Sequence, residues 1–311
     1  MKNIAVVGSG SFGCALAHIL SKNNNVKIWS YTKEEKDLIN NEHKCMFLKD
    51  LILNNNVICS NNYEEVINNS DYIILVTPSN ALYQTCIDIK PYINNKKIIL
   101  ATKGISNDKL LSDIIKDELN IIPSIISGPS HAEQIVKDIP TFINYYGKKD
   151  IKELFETSNF HLIYNEDYIG MQVGAALKNI ISIILGIVEG LGYESNTMSY
   201  VITNGLKEIS TIGEKLGAKK ETFYELSGLG DLLTTTLSLD SRNKRCGILL
   251  SKGKNIDQIK KEIGMTIEGL DTINNACYLI DKYNINSPMI MNLKELIDGK
   301  ITIEDYINKI M

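Results

Sequence analysis

The stretch Ile4-Ala5-Val6-Val7-Gly8-Ser9-Gly10-Ser11-Phe12-Gly13 decides the fold of the first half of this 311-residue chain. Its apolar start predicts a short buried strand, and its glycines follow in the order G-x-G-x-x-G. Gly8 permits a tight turn, Gly10 lets the backbone approach a pyrophosphate, and Gly13 lets a helix lie close to the sheet. Because a helix N-terminus attracts phosphate charge, this stretch predicts a dinucleotide-binding site.

Short apolar strands alternate with helical segments after this motif. We predict strands at residues 4–7, 26–29, 72–76, 97–101, 124–126 and 141–146, with helices at 16–23, 64–69, 81–89 and 110–119. Continuous β-branched runs are typical of a parallel sheet that is covered on both faces. The pattern predicts the α/β class, with a Rossmann-like doubly wound parallel sheet.

The pattern changes near residue 165, where strand signals end and glycine-punctuated helices begin. We predict helices at residues 170–191, 196–216, 257–263, 267–283 and 289–297. The sequence therefore predicts two domains. Residues 1–165 form the dinucleotide-binding Rossmann domain, and residues 166–311 form an all-α substrate-binding and catalytic domain.

Lys178 is unusual because the predicted helix around it is otherwise small and aliphatic. Most of such a helix must be buried, and a buried ammonium costs several kcal/mol unless it is paired. Burial also lowers the pKa of a lysine, which makes Lys178 a candidate proton donor or acceptor. The alternative is a lysine that reaches the surface along an apolar stem. The helix alone supports both interpretations equally.

Two loops follow predicted strands of the first domain. Lys103 lies just beyond one strand, and Ser127-Gly128-Pro129-Ser130-His131-Ala132 ends another. Ligands of open α/β sheets bind outside the carboxyl ends of the strands, so Lys103 is placed to meet a substrate or a phosphate. The small residues of the second loop allow close approach of the backbone to a ligand.

Two clusters of the second domain carry further polar groups. Asp231 lies in an apolar turn that contains two glycines, and Ser241-Arg242-Asn243 offers a hydroxyl, a guanidinium fork and an amide to a phosphate. Taken singly, Arg242 could be a surface arginine and Asp231 a helix N-cap. Together with Lys178 and Lys103, these residues favour one active site.

The second strand bears on the choice of cofactor. An NAD site usually has an acid at the end of this strand, but here the strand ends Trp29-Ser30-Tyr31-Thr32-Lys33. Lys33 could favour a 2′-phosphate, or it could be an ordinary solvated lysine. The choice between NAD and NADP stays open.

Composition narrows the class of protein. A hydrophobic fraction of 44%, 23% charged residues and a net charge of −4 are typical of a globular protein whose main partner is not nucleic acid. The longest apolar run is too short for a membrane span, so no integral membrane segment is expected. The six cysteines contain no C-x-x-C pair and the four histidines are scattered, so we expect free thiols, no metal and a cytoplasmic location.

The whole chain resembles the bacterial NAD(P)-dependent glycerol-3-phosphate dehydrogenases. The motifs that carry the resemblance are, in order, Gly8-Ser-Gly-Ser-Phe-Gly-Cys-Ala-Leu-Ala17, Val76-Thr-Pro-Ser79, Thr102-Lys-Gly104, Ser127-Gly-Pro-Ser-His-Ala132, Gly174-Ala-Ala-Leu-Lys-Asn179, Gly228-Leu-Gly-Asp231, Ser241-Arg-Asn243 and Glu268-Gly269. The Ala-Leu-Lys-Asn and Gly-Leu-Gly-Asp…Ser-Arg-Asn segments are highly specific to this family, whereas the glycine motif is not.

The resemblance implies a role for each matching residue. Lys178 would be the proton donor and acceptor at the substrate C2 oxygen, with Lys103 and Asp231 as the other catalytic residues. The implied substrate-binding set is Lys103, Gly128, Ser130, Lys178, Asn179, Asp231, Thr235, Ser241, Arg242 and Asn243. The implied cofactor-binding set is Gly8, Gly10, Ser11, Phe12, Gly13, Tyr31, Lys103, Ala132, Arg242 and Glu268.

The resemblance also implies an activity and its rivals. The activity is reversible reduction of dihydroxyacetone phosphate with NAD or NADP as cofactor, which supplies glycerol phosphate for phospholipids, with a homodimer as a possible assembly. Asn204 and Tyr31 stand where the family often has arginine, and Tyr31 weakens any inference of NADP preference. The rivals are a β-hydroxyacid or ketopantoate-type dehydrogenase and a catalytically silent NAD-sensing protein.

Overall fold

The glycine motif opens a sheet of eight strands in the computed structural model, which describes residues 1–106, 109–238 and 241–311. The described chain divides into two units, of which the first holds residues 1–103 and 111–166 and the second holds residues 104–110 and 167–311. In chain order the strands are β1 (Asn3–Val7), β2 (Asn25–Trp29), β3 (Lys44–Cys45), β4 (Leu48–Ile52), β5 (Val57–Ser60), β6 (Tyr72–Leu75), β7 (Lys97–Leu100), β8 (Ile105–Ser106), β9 (Lys109–Leu110), β10 (Ser124–Ser127), β11 (Thr141–Tyr146) and β12 (Phe160–Tyr164).

The sheet of the first unit has the strand order β12-β11-β10-β7-β6-β1-β2-β5. Its six strands from β10 to β5 run parallel, whereas β11 is antiparallel to β10 and parallel to β12. The central strands β1, β6 and β7 are buried because their side chains are almost all aliphatic on both faces. The predicted α/β class is confirmed, with the addition of one antiparallel pair.

Helices of the first unit connect these strands. They are α1 (Ser11–Ser21), α2 (Lys33–Glu42), α3 (Tyr63–Ile67), α4 (Leu82–Ile89), α5 (Leu111–Leu119), α6 (Ala132–Ile135) and α7 (Lys149–Phe155). The glycine motif opens helix α1, as predicted, but the helix begins at Ser11, inside the motif, rather than at residue 16. Helix α2 was not predicted; its first residue follows Thr32, whose side chain accepts a hydrogen bond from the Glu35 N–H and so caps the helix.

The second unit is helical apart from the two-stranded ladder β8–β9, which the sequence pattern did not predict. Its helices are α8 (Tyr168–Gly190), α9 (Ser195–Lys215), α10 (Asp231–Leu237), α11 (Arg242–Ser251), α12 (Ile256–Ile263), α13 (Glu268–Lys282), α14 (Pro288–Ile297) and α15 (Ile303–Ile310). A π-helical turn, Leu226–Gly230, leads directly into α10.

Helix α8 forms the core of the second unit. It packs against α9, α10, α11 and α13, and its residues from Gly170 to Val188 are all buried. Glycines bring α8 and α11 together, because a Cβ at Gly186 would lie 2.0 Å from the Lys244 carbonyl oxygen and one at Gly247 would lie 2.0 Å from that of Ile183. Helix α8 is the one described helix whose length and apolarity match a membrane span, yet all of that apolar stretch lies inside the protein.

Candidate active site

The glycine loop between β1 and α1 fits the phosphates of a dinucleotide. Gly8 has φ +127°, a conformation that side chains rarely adopt, and a Cβ there would lie 2.7 Å from the Val76 carbonyl oxygen. A Cβ at Gly13 would lie 2.0 Å from the Gly8 carbonyl oxygen. Gly10 differs, because no atom lies within 4 Å of its absent Cβ. The loop therefore needs glycine for its own folding at two positions and keeps open space at the third.

Thr77 adds an uncommitted polar group beside this loop. It follows β6 near Gly8, whose built Cβ would lie 3.3 Å from the Thr77 nitrogen. The Thr77 hydroxyl is buried, with the residue only 5% exposed, and within the described chain it has no hydrogen-bond partner. A buried unsatisfied hydroxyl is costly, so a bound cofactor would supply the missing partner. Sequence reasoning quoted the Val76-Thr77-Pro78-Ser79 loop but gave Thr77 no role.

Lys103 is held by the loop that follows β10. Its ammonium donates to the Gly128 carbonyl oxygen at 3.0 Å and to the Ser130 hydroxyl at 3.2 Å. The Ser130 hydroxyl in turn donates to the Gly128 carbonyl oxygen at 2.9 Å. Three residues that the sequence placed in one site are therefore in contact.

The other predicted cofactor-binding residues of the first unit differ in how exposed they are. Ser11 and Phe12 begin α1 and are half-buried, and Ala132 begins α6 and is buried. Tyr31 is 84% exposed, with its ring edge-on to Trp29 at a centroid distance of 6.4 Å.

Lys178 forms a buried ion pair in the second unit. Its ammonium donates to the Asp231 carboxylate and to the Thr235 hydroxyl, the latter at 2.7 Å. Lys178 is 6% exposed and Asp231 is 1% exposed. The lysine therefore does not reach the surface, and the cost of burying its charge is offset by pairing and hydrogen bonding.

Asp231 is positioned by the start of α10. It is the first residue of that helix, Gly230 occupies the N-cap position, and the Asp231 carboxylate contacts Lys178. The Thr235 hydroxyl also donates to the Asp231 carbonyl oxygen one turn earlier, at 2.8 Å. The alternative of Asp231 as a helix cap is therefore wrong.

A second polar network starts at the next residue of α8. The Asn179 amide donates to the Glu268 carboxylate at 2.8 Å, and the Asn243 amide donates to the Asn179 side-chain oxygen at 2.9 Å. The backbone N–H of Gly269 donates to the Asn243 side-chain oxygen at 2.9 Å. These bonds join α8, α11 and α13, so three residues predicted from separate motifs share one network.

The triplet Ser241-Arg242-Asn243, predicted to bind a phosphate, lies at the start of α11. The Ser241 hydroxyl accepts from the Lys244 N–H at 3.3 Å and lies 3.2 Å from the Ser182 hydroxyl, so it caps the helix. Arg242 is half-buried, and in the part of the chain that the structure covers its guanidinium forms no hydrogen bond or ion pair. A half-buried, uncommitted guanidinium beside a helix N-terminus is suited to an anion.

The glycine loop and the buried lysine–carboxylate pair together indicate the class of nicotinamide-dependent dehydrogenases. Residues 3–150 match a family model described as the N-terminus of NAD-dependent glycerol-3-phosphate dehydrogenase, and residues 167–308 match the model of its C-terminus. The chain belongs to the NAD-dependent glycerol-3-phosphate dehydrogenase family, as its motifs predicted.

Individual relatives agree with the family models over the full length. A glycerol-3-phosphate dehydrogenase [NAD(P)+] from Clostridium botulinum is 39% identical, with 98% of this chain and 97% of the relative covered. One from Fusobacterium nucleatum is 37% identical, with 100% of this chain and 97% of the relative covered. The crystal structure of a glycerol-3-phosphate dehydrogenase from Coxiella burnetii is 29% identical, with a TM-score of 0.95 and coverage of 99% and 98%. These matches do not favour the β-hydroxyacid or ketopantoate-type alternative.

Proposed function

We propose that this protein catalyses the reversible NAD(P)H-dependent reduction of dihydroxyacetone phosphate to sn-glycerol 3-phosphate, which supplies glycerophospholipid synthesis. The observation that carries the proposal is the buried Lys178–Asp231–Thr235 group, formed by family motifs in a chain that matches the family over its whole length. A bound nicotinamide cofactor supplies the hydride for C2 of the substrate.

Lys178 is the proposed proton donor to the C2 oxygen. As the carbonyl is reduced, negative charge grows on that oxygen, and the ammonium neutralises the charge by giving up a proton. In the reverse direction the neutral amine takes the proton from the hydroxyl. Asp231 and Thr235 hold the nitrogen at a fixed position, which avoids reorganisation during the step.

The phosphate of the substrate is the proposed partner of Arg242. Its guanidinium forms no bond within the described chain, and Asn243 beside it is fixed by hydrogen bonds to Asn179 and Gly269. Binding the phosphate there aligns C2 with the reacting groups. Ser241 supports this site as the cap of α11. Lys103, Gly128 and Ser130 are further proposed substrate contacts.

The cofactor is proposed to bind at the glycine loop. Gly8 and Gly13 shape the loop and Gly10 leaves space for the pyrophosphate. The other proposed cofactor contacts are Ser11, Phe12, Tyr31, Lys103, Ala132, Arg242 and Glu268. The division of labour between residues 1–165, for cofactor, and residues 166–311, for substrate and catalysis, is part of this proposal.

The proposal includes a cellular setting. We place the protein in the cytoplasm, with a phosphorylated small molecule as its substrate and a second copy of the chain as its possible partner. Nucleic acid is not expected as a partner because the chain has a net charge of −4.

A substitution of Lys178 tests the proposed mechanism. We expect Lys178→Ala to lower kcat for dihydroxyacetone phosphate by about 10²- to 10⁴-fold, because proton transfer by a positioned group contributes that much. NADH oxidation is followed by its absorbance with a panel of phosphorylated and carboxylated ketones, and NADH binding is measured separately.

Lys244→Met is the matched control for that experiment. Lys244 is a second buried lysine of the same unit; its ammonium donates to the Thr236 carbonyl oxygen at 3.1 Å and pairs with Glu189 at 2.7 Å. Its loss lowers stability but should leave kcat close to the wild-type value. Near wild-type turnover by folded Lys178→Ala contradicts the mechanism, and a preference for carboxylated ketones contradicts the substrate.

A further inference from the structure

An acidic side chain contacts the glycine loop from outside it. The Ser9 hydroxyl, in the loop, donates to the Glu35 carboxylate at 2.6 Å. Glu35 lies in the first turn of α2, where its own N–H donates to the Thr32 hydroxyl at 3.2 Å. The backbone and one carboxylate oxygen of Glu35 are therefore both fixed. Its other carboxylate oxygen forms no hydrogen bond within the described residues.

The position of Glu35 along the chain is that of a ribose-binding acid. In dinucleotide-binding folds, an Asp or Glu roughly 20 residues beyond the glycine motif accepts a hydrogen bond from the 2′-hydroxyl of the adenosine ribose. Here β2 ends without an acid, and Glu35 enters from the helix that follows. Its contact with Ser9 brings the carboxylate to the loop that would hold the pyrophosphate.

The charge of Glu35 also affects the pKa of a neighbouring thiol, that of Cys59. Burial raises the pKa of Cys59 to about 11, and the Glu35 carboxylate adds to that rise while Lys36 opposes it. The Glu35 carboxylate therefore also acts on Cys59 of β5, the strand that pairs with β2. A 2′-phosphate would bring about two further negative charges to the same place and would be repelled.

Two lysines of α2 could weaken this repulsion. Lys36 lies 3.7 Å from the Asp37 carboxylate and shares its charge with that acid. Lys33 is exposed and has no hydrogen bond or ion pair with the part of the chain that the structure describes. Of these charged groups, the Glu35 carboxylate is the one that forms a hydrogen bond with the glycine loop in the described chain.

We propose that Glu35 is a specificity-determining residue, held by Ser9, that makes this enzyme prefer NAD(H) to NADP(H). The inference rests on the proposed function, because it takes the glycine loop as the cofactor site. The free carboxylate oxygen accepts the 2′-hydroxyl of NAD(H), and the same charge opposes the 2′-phosphate of NADP(H).

Direct binding measurements test the role of Glu35. Protein fluorescence is titrated with NADH and NADPH, and with 5′-AMP and 2′,5′-ADP, for wild type, Glu35→Gln and Glu34→Gln. Both variants lose one negative charge, but Glu34 is exposed and has no contact with the loop. We expect wild type to bind NADH at least about tenfold more tightly than NADPH, since charged hydrogen bonds and close like charges have effects of that size.

The variants should separate the contact from general charge. Glu35→Gln should lower the NADH preference about tenfold, mainly by tighter NADPH binding, whereas Glu34→Gln should change it less than about twofold. Ser9→Ala removes the hydrogen bond that holds the Glu35 carboxylate, and it should lower the NADH preference by a smaller factor. This variant tests the inference if Glu35→Gln does not fold. An unchanged preference in both Glu35→Gln and Ser9→Ala, or equal binding by wild type, overturns the inference. Failure of wild type to bind either nucleotide overturns the proposed function and this inference together.

Discussion

The two units hold their candidate ligand-binding residues in opposite ways. In the first, the glycine loop is shaped by backbone atoms, and Gly13 leaves no room for a Cβ beside the Gly8 carbonyl oxygen. In the second, the site is made of buried side chains, with Lys178 paired to Asp231 inside an apolar helix bundle. A backbone site depends on steric space, whereas a buried charge pair depends on keeping both partners.

The difference predicts how each unit tolerates substitution. A side chain added to the first site blocks a ligand or the loop, but it leaves no charge exposed to an apolar interior. A side chain removed from the second site strands its partner in a low-dielectric interior. Substitutions in the first unit should therefore cost ligand binding, and stability as well where the new Cβ meets the loop backbone, whereas substitutions in the second unit should cost stability.

The largest expected effect is in the second unit. Asp231→Asn keeps the shape of the side chain but removes the carboxylate charge that pairs with the buried Lys178 ammonium. We expect the free energy of unfolding to fall by about 3–5 kcal/mol, measured by urea unfolding followed by circular dichroism.

The control for that substitution is a more exposed pair of the same unit. Asp298→Asn breaks the Lys294–Asp298 pair and should cost less than about 1 kcal/mol. The double variant Lys178→Met/Asp231→Leu should recover much of the loss, because it removes both charges. Equal losses for Asp231→Asn and Asp298→Asn would show that the buried pair has no special weight.

An intermediate effect is expected at the glycine loop. Gly10 has φ −65° and ψ 178°, which alanine adopts without strain, and its absent Cβ has no neighbour within 4 Å. Gly10→Ala should therefore keep the free energy of unfolding and weaken NADH binding about 10- to 100-fold, since the new methyl group lies where the pyrophosphate would approach. Calorimetric titration and thermal unfolding measure the two quantities.

Gly13→Ala is the contrasting substitution in the same loop. Its Cβ would meet the Gly8 carbonyl oxygen at 2.0 Å, so it should lower stability together with binding. If Gly10→Ala binds NADH as tightly as wild type does, the loop is not the cofactor site.

The smallest expected effect concerns a buried carboxyl on α9. Burial raises the pKa of Glu208, although the Ser287 hydroxyl and the N–H groups of Met289 and Ile290 oppose that rise by donating to it. The folded chain thus keeps this proton to a higher pH than the unfolded chain does. The contribution of Glu208 to stability is therefore full below its ordinary pKa of 4.5 and is lost as pH rises through the higher folded value.

Glu208→Gln should flatten this part of the pH dependence. The free energy of unfolding is measured at pH 4.5 and at neutral pH. We expect the difference between these two values to change by an amount on the order of 1 kcal/mol in the variant, as is usual for one substitution. Glu214→Gln, at an exposed position of the same helix, should leave the profile unchanged. A Glu208→Gln profile that superimposes on that of wild type contradicts the assignment.

The sequence predicted most of the parallel sheet because its strands are short aliphatic runs between helical segments. It did not predict the short edge strands β5 and β12, although both are mostly apolar, and their exposed positions include Ile58 and Ile163. It also missed that β11 runs against β10, because a strand's composition does not report its direction. Helix α11 escaped prediction since it carries four charged or polar residues in its first turn, although Ser241 marks its start.

The residues of the candidate site were easier to predict than their contacts. Motif spacing pointed to Lys178 and Asp231, but only the folded chain joins residues that stand 53 positions apart. The burial of Lys178, which the helix pattern left undecided, follows from the helices packed around α8. Thr77 lies in one of the quoted motifs and Glu35 stands roughly 20 residues beyond the glycine motif, but neither pattern by itself gave the residue a role. Their importance comes from contacts with the glycine loop that spacing along the chain does not encode.

Helix α8 has a consequence for biogenesis. The ribosome completes it before it makes α9, α11 and α13, the helices that cover it. At about 5–20 residues per second, the chain from Gly190 to Lys282 takes on the order of ten seconds to appear. During that time an apolar segment of membrane-spanning length is a target for chaperones and for the insertion machinery. Lys178 near its centre adds about 3 kcal/mol to the free energy of inserting this helix, so the charge opposes its insertion into lipid.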